Sequence, residues 1–230
     1  IRYGDLKDGD QLFDEKGQIQ TVIKTHPIKI SPEAYRVHFD NGTHIDACSD
    51  HLWTTYTKLD RRKLCRGTNV EPKVKNTREL FKTQLHGKEF NHSIPTTKPL
   101  QLPEIDLPLD PYTLGAWLGD GTSANGGLTG LDKEVWDNIP FEVSHSVKDV
   151  KAHYIKGILI TLREMGVLKN KHVPDIYLRG SENQRRELLK GLLDTDGCCF
   201  TKSGVVEFCN KNKGLVDSVI KLAASLGLKP

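Results

Sequence analysis

The sequence predicts an α+β protein made of a small all-β module followed by a mixed α/β half with an internal repeat. Short strands separated by turns fill the first 57 residues, and five prolines interrupt the chain between residues 95 and 111. Two apolar segments that each end in Asp-Gly then recur 76 residues apart (196 − 120 = 76). Repeated segments that cannot bury their apolar faces alone are expected to pack together.

Composition excludes several classes of protein. No apolar run approaches the roughly 20 residues that a membrane span needs. The start, Ile1-Arg2-Tyr3-Gly4-Asp5, does not resemble a signal peptide. Five cysteines are an odd number, which argues against a disulfide framework and indicates reduced thiols, so we expect a cytoplasmic location. A net charge of +3 permits an anionic partner without demanding one.

The first 57 residues contain the β signals. Alternation or β-forming runs predict strands at 11–13, 19–23, 35–39, 43–48 and 52–57. Asp40-Asn41-Gly42 lies between the third and fourth of these strands and is typical of a tight hairpin turn.

A basic segment follows the strands. Residues 58–78 hold eight Lys or Arg against two acids, a local charge of +6. The segment is either a solvated, mobile loop or a surface that contacts a phosphate backbone. In the second case the DNA-binding residues are Lys58, Arg61, Arg62, Lys63 and Arg66. Thr77 is predicted to cap a helix over 78–85, and the prolines that follow predict an extended linker between domains.

Helix signals dominate the second half. Pro111 begins a predicted helix that ends at Gly121, a glycine suited to a left-handed stop. Further helices are predicted over 155–165, from the cap residue Ser181 to Gly197, and over 215–226.

The repeat predicts a pair of acidic residues. Segments 114–121 and 190–197 align without a gap, and small residues on both would let the two helices approach closely. Asp120 and Asp196 would then meet at two helix C-termini, where their negative charges repel each other. A divalent cation such as Mg²⁺, which prefers hard oxygen ligands, would stabilise that arrangement. Gly119 and Thr195, which precede the two aspartates, complete the predicted metal ligands. The alternative is that both aspartates only form turns before glycine.

The second segment resembles a known motif. Residues 189–197 match the LAGLIDADG motif of dodecapeptide homing endonucleases at Leu, Gly, Leu, Asp, Asp and Gly, and the first segment keeps Gly115, Asp120 and Gly121. The resemblance implies an αββαββα fold with a pseudo-two-fold repeat over residues 105–230, and sheets that lie in the DNA major groove. It also implies that Asp120 and Asp196 bind the metal.

A lysine upstream of the second motif extends this resemblance. Lys171-His172-Val173-Pro174 is similar to the Lys-x-Ile-Pro element of the family. The similarity implies that Lys171 polarises the attacked phosphate or positions water. The alternative is a solvated surface lysine.

The N-terminal module resembles part of a protein-splicing element. Cys48-Ser49-Asp50-His51 is similar to the Thr-x-x-His block of inteins, with Cys48 in place of threonine. This implies a Hint-like module over residues 1–100, in which His51 helps to distort and protonate the scissile peptide. Residues 91–95 resemble the junction in inteins of helicase and terminase hosts, which implies a replicative helicase or terminase as host protein.

Two departures from the intein pattern affect the expected activity. The chain begins with Ile1 instead of Cys or Ser, and it ends at Leu228-Lys229-Pro230 instead of a His-Asn pair. The acyl shift needs the nucleophile, and closure needs the asparagine. We therefore expect an intein truncated at both ends, or a split intein, that does not splice by itself and whose second repeat is incomplete.

The predicted function is Mg²⁺-dependent, site-specific cleavage of double-stranded DNA by a monomer, with Asp120, Asp196 and Lys171 at the reaction site. One alternative is a non-catalytic DNA-binding protein with a LAGLIDADG-like fold. Another is a freestanding intron-type homing endonuclease with an unrelated β module. Cys198, Cys199 and Cys209 lack a usual zinc spacing, and residues 119–130 lack the Lys-Ser/Thr of a phosphate-binding loop.

Overall fold

The computed structural model describes residues 2–27, 33–129, 132–145 and 152–230. The chain divides into two compact units. The N-terminal unit comprises residues 1–12 and 20–96, and the C-terminal unit comprises residues 13–19 and 97–230. The turn at 13–19, which the sequence pattern did not single out, groups with the C-terminal unit.

The first part of the chain forms short antiparallel hairpins. A turn of 3₁₀ helix at Tyr3–Asp5 precedes five strands: β1 (Gln11–Phe13), β2 (Ile19–Thr21), β3 (Ala34–His38), β4 (His44–Cys48) and β5 (Leu52–Thr57). Strand β1 pairs with β2, and β3 with β4. The predicted hairpin turn is confirmed, because Gly42 adopts φ 82° and the Asn41 side chain accepts a hydrogen bond from the Thr43 N–H at 3.0 Å. The predicted strands agree with these bounds to within two residues.

The basic segment begins with a helix, α1 (Lys58–Cys65), so the expectation of a loop there is wrong. The cause is a capping box. The Asp60 carboxylate accepts a hydrogen bond from the Thr57 N–H at 2.9 Å, and the Thr57 hydroxyl oxygen accepts one from the Asp60 N–H at 3.3 Å. Two of the donors left open at the start of a helix are thereby satisfied.

The rest of the N-terminal unit combines short strands with a second helix. These elements are β6 (Lys73–Asn76), α2 (Thr77–Lys82), β7 (Leu85–His86), β8 (Glu89–Phe90) and β9 (His92–Ser93). Strand β5 lies between β6 and β9, and β7 pairs with β8. The cap of α2 is Asn76 and not the predicted Thr77, because the buried Thr77 hydroxyl instead accepts a hydrogen bond from the Trp53 indole at 2.9 Å.

The C-terminal unit follows the expected mixture of helices and strands. Its elements are α3 (Pro111–Asp120), β10 (Gly127–Thr129), α4 (Lys133–Asp137), β11 (Val143–His145), β12 (Ala152–Ile155), α5 (Ile158–Glu164), α6 (Asp175–Leu178), α7 (Glu182–Asp196), β13 (Gly197–Phe200), β14 (Val205–Phe208) and α8 (Lys213–Ser225). Strands β10, β12 and β11 form one antiparallel sheet in that order, and β13 pairs with β14. The predicted helix over 155–165 starts late because Ile155 pairs with Val143 in the sheet.

Nearly all of the buried apolar core lies in the C-terminal unit. Among the described residues of the N-terminal unit, the buried apolar side chains are Ala47 and Trp53. The C-terminal core is centred on α3, α7 and α8, where Leu114, Leu188 and Leu222 are fully buried. No helix in the described ranges combines the length and apolarity needed to cross a bilayer.

The proline-rich segment, residues 97–110, has no helix or strand, but the prediction of a linker between domains is wrong, because the segment is hydrogen-bonded to the rest of the C-terminal unit along its length. The Leu100 N–H donates to the Ser225 carbonyl at 2.9 Å. The Gln184 side-chain amide donates to the Ile105 carbonyl at 2.6 Å, and the Tyr177 hydroxyl donates to the Leu109 carbonyl at 2.8 Å. The segment is therefore part of this unit's structure.

Helices α3 and α7 meet at two glycines. A Cβ atom built on Gly191 would lie 2.2 Å from the Tyr112 carbonyl oxygen, and one on Gly115 would lie 2.3 Å from the Leu188 carbonyl oxygen. Neither backbone can retreat without separating the helices. The close approach predicted from the small residues is thus confirmed.

The prediction of a left-handed stop at Gly121 is wrong. Gly121 has φ −70° and the corresponding Gly197 has φ −95°, so both helices lead directly into extended chain. Glycine is needed there for space, because a Cβ at Gly121 would lie 2.2 Å from the Trp117 carbonyl oxygen and one at Gly197 would lie 2.3 Å from that of Leu193.

We predict that Gly191→Ala lowers the free energy of unfolding by about 1–3 kcal/mol, the usual cost of overpacking a close contact. Urea denaturation measures the change. Gly214→Ala, on the exposed start of α8, is the matched control and should alter stability by less than about 1 kcal/mol. Equal stability of Gly191→Ala and the wild-type protein would contradict the packing described here.

Candidate functional site

Asp120 and Asp196 lie at the adjoining C-terminal ends of α3 and α7. The two helix ends touch through Gly119, where a Cβ atom would lie 2.0 Å from Thr195 Oγ1 and 3.5 Å from Asp196 Cγ. Only glycine leaves room for Thr195 and Asp196 at this distance. The sequence prediction that the repeat brings the two aspartates together therefore agrees with the geometry.

The surroundings of Asp120 oppose its ionisation. Partial burial raises the pKa of the Asp120 carboxyl, and the negative charge of Asp196 raises it further. The nearby Lys171 ammonium acts in the opposite direction as the smallest of the three influences. The negative charge of Asp196 and the partly dehydrated surroundings therefore both disfavour ionisation of the Asp120 carboxyl.

Lys171 lies beside these carboxylates on the segment between α5 and α6. Its Nζ donates a hydrogen bond to the Gly119 carbonyl at 2.8 Å and lies 5.3 Å from the centre of the Trp117 ring. Burial lowers the pKa of the Lys171 ammonium, while Asp196 and Asp120 raise it. Lys171 is thus a partly buried, hydrogen-bonded side chain and not a solvated surface lysine.

The other two predicted metal ligands are already engaged. The Gly119 carbonyl accepts the Lys171 hydrogen bond. The Thr195 hydroxyl donates back into its own helix, to the carbonyls of Gly191 at 3.0 Å and Leu192 at 3.1 Å. Both oxygens therefore already take part in hydrogen bonds within the protein.

The carboxylate pair nevertheless has the chemistry of a magnesium site. The carboxylates supply two hard oxygen ligands that repel each other, and a small divalent cation bound between them would relieve that repulsion. Within the described ranges there is no cluster of three or more His, Cys, Asp or Glu side chains that could hold a metal. A cation bound by Asp120 and Asp196 would therefore take its remaining ligands from water or substrate, as Mg²⁺ commonly does.

Sequence reasoning missed three neighbours of this site. The Asn210 side-chain amide donates to Asp196 Oδ2 at 2.5 Å, and that of Asn212 donates to the Lys171 carbonyl at 2.6 Å. Trp117 is fully buried, and the centre of its ring lies 5.3 Å from the Lys171 ammonium nitrogen. Asn212 could have been identified as the cap of α8, but the Asn210 contact depends on the β13–β14 hairpin.

The five predicted DNA-binding residues lie on or next to α1 in the N-terminal unit, and two of them hold the unit together. Lys58 forms an ion pair with Glu89 at 2.7 Å, and Arg61 donates to the carbonyls of Asn91 and Phe90 at 2.9 and 3.0 Å. Arg62, Lys63 and Arg66 are exposed, and their side chains form no ion pair or hydrogen bond with other described residues. An open groove of about 340 Å³ is lined by Lys58, Arg61, Arg62, Cys65, Arg66 and Glu89.

His51, the candidate from the splicing-block resemblance, lies between β4 and β5 in the N-terminal unit. Its exposed ring meets Trp53 edge to face, with centroids 4.8 Å apart. The His51 carbonyl accepts hydrogen bonds from the Thr77 N–H at 3.0 Å and the Thr77 hydroxyl at 3.3 Å. The backbone at His51 is thus fixed, while the imidazole faces solvent.

The end of the chain is similar to a known protein family. Residues 183–230 match the family described as a LAGLIDADG-like domain. This match covers most of α7, the β13–β14 hairpin and α8, and it includes Asp196. Domains of this family are generally DNA endonucleases, and they typically use divalent metal ions. The mixed helices and small sheets are consistent with the predicted α+β class.

The chain as a whole is similar to a helicase. It is 37% identical over 238 residues to the "Replicative DNA helicase DnaB" of Mycobacterium intracellulare. The alignment covers 98% of this chain and 40% of that protein, so the chain spans about 40% of the length of this relative. The two comparisons together support the interpretation of the chain as a LAGLIDADG intein.

We predict that Asp120→Asn stabilises the metal-free protein at neutral pH. The pKa of Asp120 is raised on folding, so the folded state binds this proton more tightly than the unfolded state. The wild-type chain therefore loses stability as pH rises through the window from the ordinary carboxyl pKa to the raised one. The asparagine variant does not lose stability in this way. Its free energy of unfolding should therefore exceed that of the wild type at neutral pH, and the difference should vanish at acidic pH, where Asp120 is protonated in both the folded and the unfolded wild-type protein.

Urea denaturation in EDTA across acidic to neutral pH measures this difference. The matched control is the same substitution made in the Asp196→Asn background, where the charge repulsion is absent and the stabilisation should shrink. A variant that is less stable than wild type at neutral pH would show that Asp120 has a structural role instead.

Proposed function

We propose that this chain belongs to a protein-splicing element whose C-terminal unit is a metal-dependent, site-specific endonuclease for double-stranded DNA. The observation that carries the proposal is that Asp120 and Asp196 lie together at the ends of two helices that pack through glycines. Lys171 lies beside them and donates a hydrogen bond to the Gly119 carbonyl. The match of residues 183–230 to a LAGLIDADG-like domain supports the same activity.

The carboxylates of Asp120 and Asp196 would hold Mg²⁺. When bound, the cation would acidify a water molecule and stabilise negative charge on the oxygen that leaves phosphorus. In the hydrolysis, a water oxygen forms a bond to phosphorus, one P–O bond to a sugar breaks, and the released sugar oxygen takes up a proton. Both carboxylates come from a single chain, so we propose that one copy suffices.

Lys171 has the position and charge to act on the phosphate. Its ammonium has three donors, and the structure accounts for one of them, at the Gly119 carbonyl. The other donors could polarise a phosphoryl oxygen or orient the attacking water. Burial against Trp117 restricts the side chain, so little conformational freedom would be lost when the phosphate binds.

Within the N-terminal unit, we propose that Arg62, Lys63 and Arg66 contact phosphates of the DNA backbone. They are the members of the predicted set that are exposed and have no ion-pair or hydrogen-bond partner in the described part of the chain. Lys58 and Arg61 contribute mainly by fastening α1 to β8 and Asn91. We assign base recognition to the antiparallel strands of the C-terminal unit, since the major groove admits a two-stranded ribbon.

The splicing context is a further part of the proposal. His51 would assist cleavage of the peptide bond at the N-terminal junction by protonating and distorting it. The similarity to a replicative helicase over 98% of the chain favours a replicative helicase, and not a terminase, as the host protein. We further propose that the element acts in the cytoplasm, where such a host would work.

Cleavage of a randomised duplex library in Mg²⁺ tests the nuclease. We predict defined cuts by the wild-type chain and at least a roughly hundredfold loss of rate in Asp120→Asn, Asp196→Asn and Lys171→Met. Asp175→Asn, an exposed carboxylate at the start of α6, is the matched control and should cut normally. Specific DNA binding without cutting would instead support a non-catalytic DNA-binding protein.

The salt dependence of DNA binding tests the basic helix. Replacing Arg62, Lys63 and Arg66 together with alanine should reduce the slope of log K against log salt by about 0.9 for each lost phosphate contact. Arg36→Ala, which removes a cation already paired with Asp46, is the control and should leave the slope unchanged. An unchanged slope in the triple variant would exclude α1 from the DNA interface.

A further inference from the structure

The loop between β14 and α8, residues 209–212, is hydrogen-bonded to Asp196 and to the backbone of Lys171. Its first residue, Cys209, donates its N–H to the Asp196 carbonyl at 3.1 Å. The next residue, Asn210, is half-buried and donates its side-chain amide to Asp196 Oδ2 at 2.5 Å. The loop thus holds Asp196 by its backbone and by its carboxylate.

The orientation of the Asn210 amide follows from its second contact. Asn210 Oδ1 accepts the Asn212 N–H at 2.8 Å, so the oxygen of the amide faces the loop. The NH₂ group must then face Asp196, which is the arrangement a carboxylate can accept.

Asn212 keeps this loop in place. Its Oδ1 accepts the Leu215 N–H at 3.3 Å and caps α8, while its NH₂ group donates to the Lys171 carbonyl at 2.6 Å. Lys171 in turn reaches the Gly119 carbonyl at the end of α3. A continuous path of hydrogen bonds therefore links Asp196, the loop, Lys171 and the helix that carries Asp120.

The choice of a neutral donor at position 210 has a physical consequence. A lysine or arginine there would neutralise Asp196 and compete with a cation for its charge. An amide instead fixes the plane of the carboxylate by occupying Oδ2, and it leaves the full negative charge and the second oxygen available.

We infer that Asn210 is a positioning residue that orients Asp196 for the binding of a divalent cation. This inference rests on the proposed metal-dependent function. Side chains that hydrogen-bond to metal ligands typically change metal affinity by 10- to 100-fold when they are removed.

Mn²⁺ binding to the metal-free full chain, followed by electron paramagnetic resonance, tests the inference without DNA. Asn210→Leu keeps the approximate volume but removes the donor, and we expect its Mn²⁺ dissociation constant to rise about tenfold or more. Asn210→Gln retains the amide and should recover at least part of the lost affinity. Asn183→Leu, at an exposed position on α7, is the matched control and should bind Mn²⁺ as wild type does.

Two outcomes would overturn the inference. One is wild-type Mn²⁺ affinity in Asn210→Leu. The other is a loss of affinity in Asn210→Leu that comes with a large fall in melting temperature and is not recovered in Asn210→Gln, which would indicate a structural role only.

The same measurements separate this inference from the proposed function. If the wild-type chain binds Mn²⁺ and Asn210→Leu weakens that binding, but no duplex is cut, the nuclease proposal fails while the positioning role of Asn210 stands. If the wild-type chain binds no Mn²⁺, both proposals are overturned.

Discussion

The contact between α3 and α7 is the constraint on which the rest of the C-terminal unit depends. At Gly115 and Gly191 the two backbones are so close that a single methyl group would overlap a carbonyl oxygen of the opposite helix. Leu114 and Leu188 are completely buried in the surrounding core, so the helices cannot separate without exposing apolar surface. The register of this contact decides which residues meet at the helix ends.

What the contact brings together is electrostatically unfavourable. Two carboxylates lie where both helices have the negative ends of their dipoles, and burial raises the pKa of Asp120. The packing energy of the apolar helices must offset this repulsion. Lys171 and Asn210 reduce it locally, the first with a positive charge and the second with an amide dipole. Unfavourable burial and charge repulsion of this kind are common at sites that bind a charged ligand.

The sequence was most informative where local chemistry determines structure. The Asn-Gly hairpin, Pro111 at the start of α3, the Ser181 cap of α7 and the small residues of the repeat all predicted what the structure contains. Helix α1 was missed because a short capping box, Thr57 with Asp60, was hidden beside a run of charges. Element boundaries shifted wherever a tertiary contact, such as the pairing of Ile155 with Val143, prevailed over helical pattern.

The prediction at the ends of α3 and α7 failed for a different physical reason. The pattern predicts a left-handed stop at Gly121, but Gly121 and Gly197 are each required because the chain leaves its helix in extended conformation close to the preceding turn. The sequence alone cannot distinguish a glycine needed for its torsion angle from one needed for its size. The same limit applies to Asn210, whose contact with Asp196 spans 14 residues and needs the hairpin between them.

Arg185 joins three backbone segments of the C-terminal unit around the start of α7. This fully buried side chain, at the start of α7, donates to the Gly180 carbonyl at 3.0 Å, to the Ser225 carbonyl at 2.6 Å and to the Leu100 carbonyl. It thereby joins the segment that leads into α3 to the end of α8. Burial lowers the pKa of the Arg185 guanidinium, yet carbonyl oxygens satisfy its donors without a carboxylate. The buried charge thus fixes three backbone segments around the start of α7, at the end of that helix opposite to Asp196.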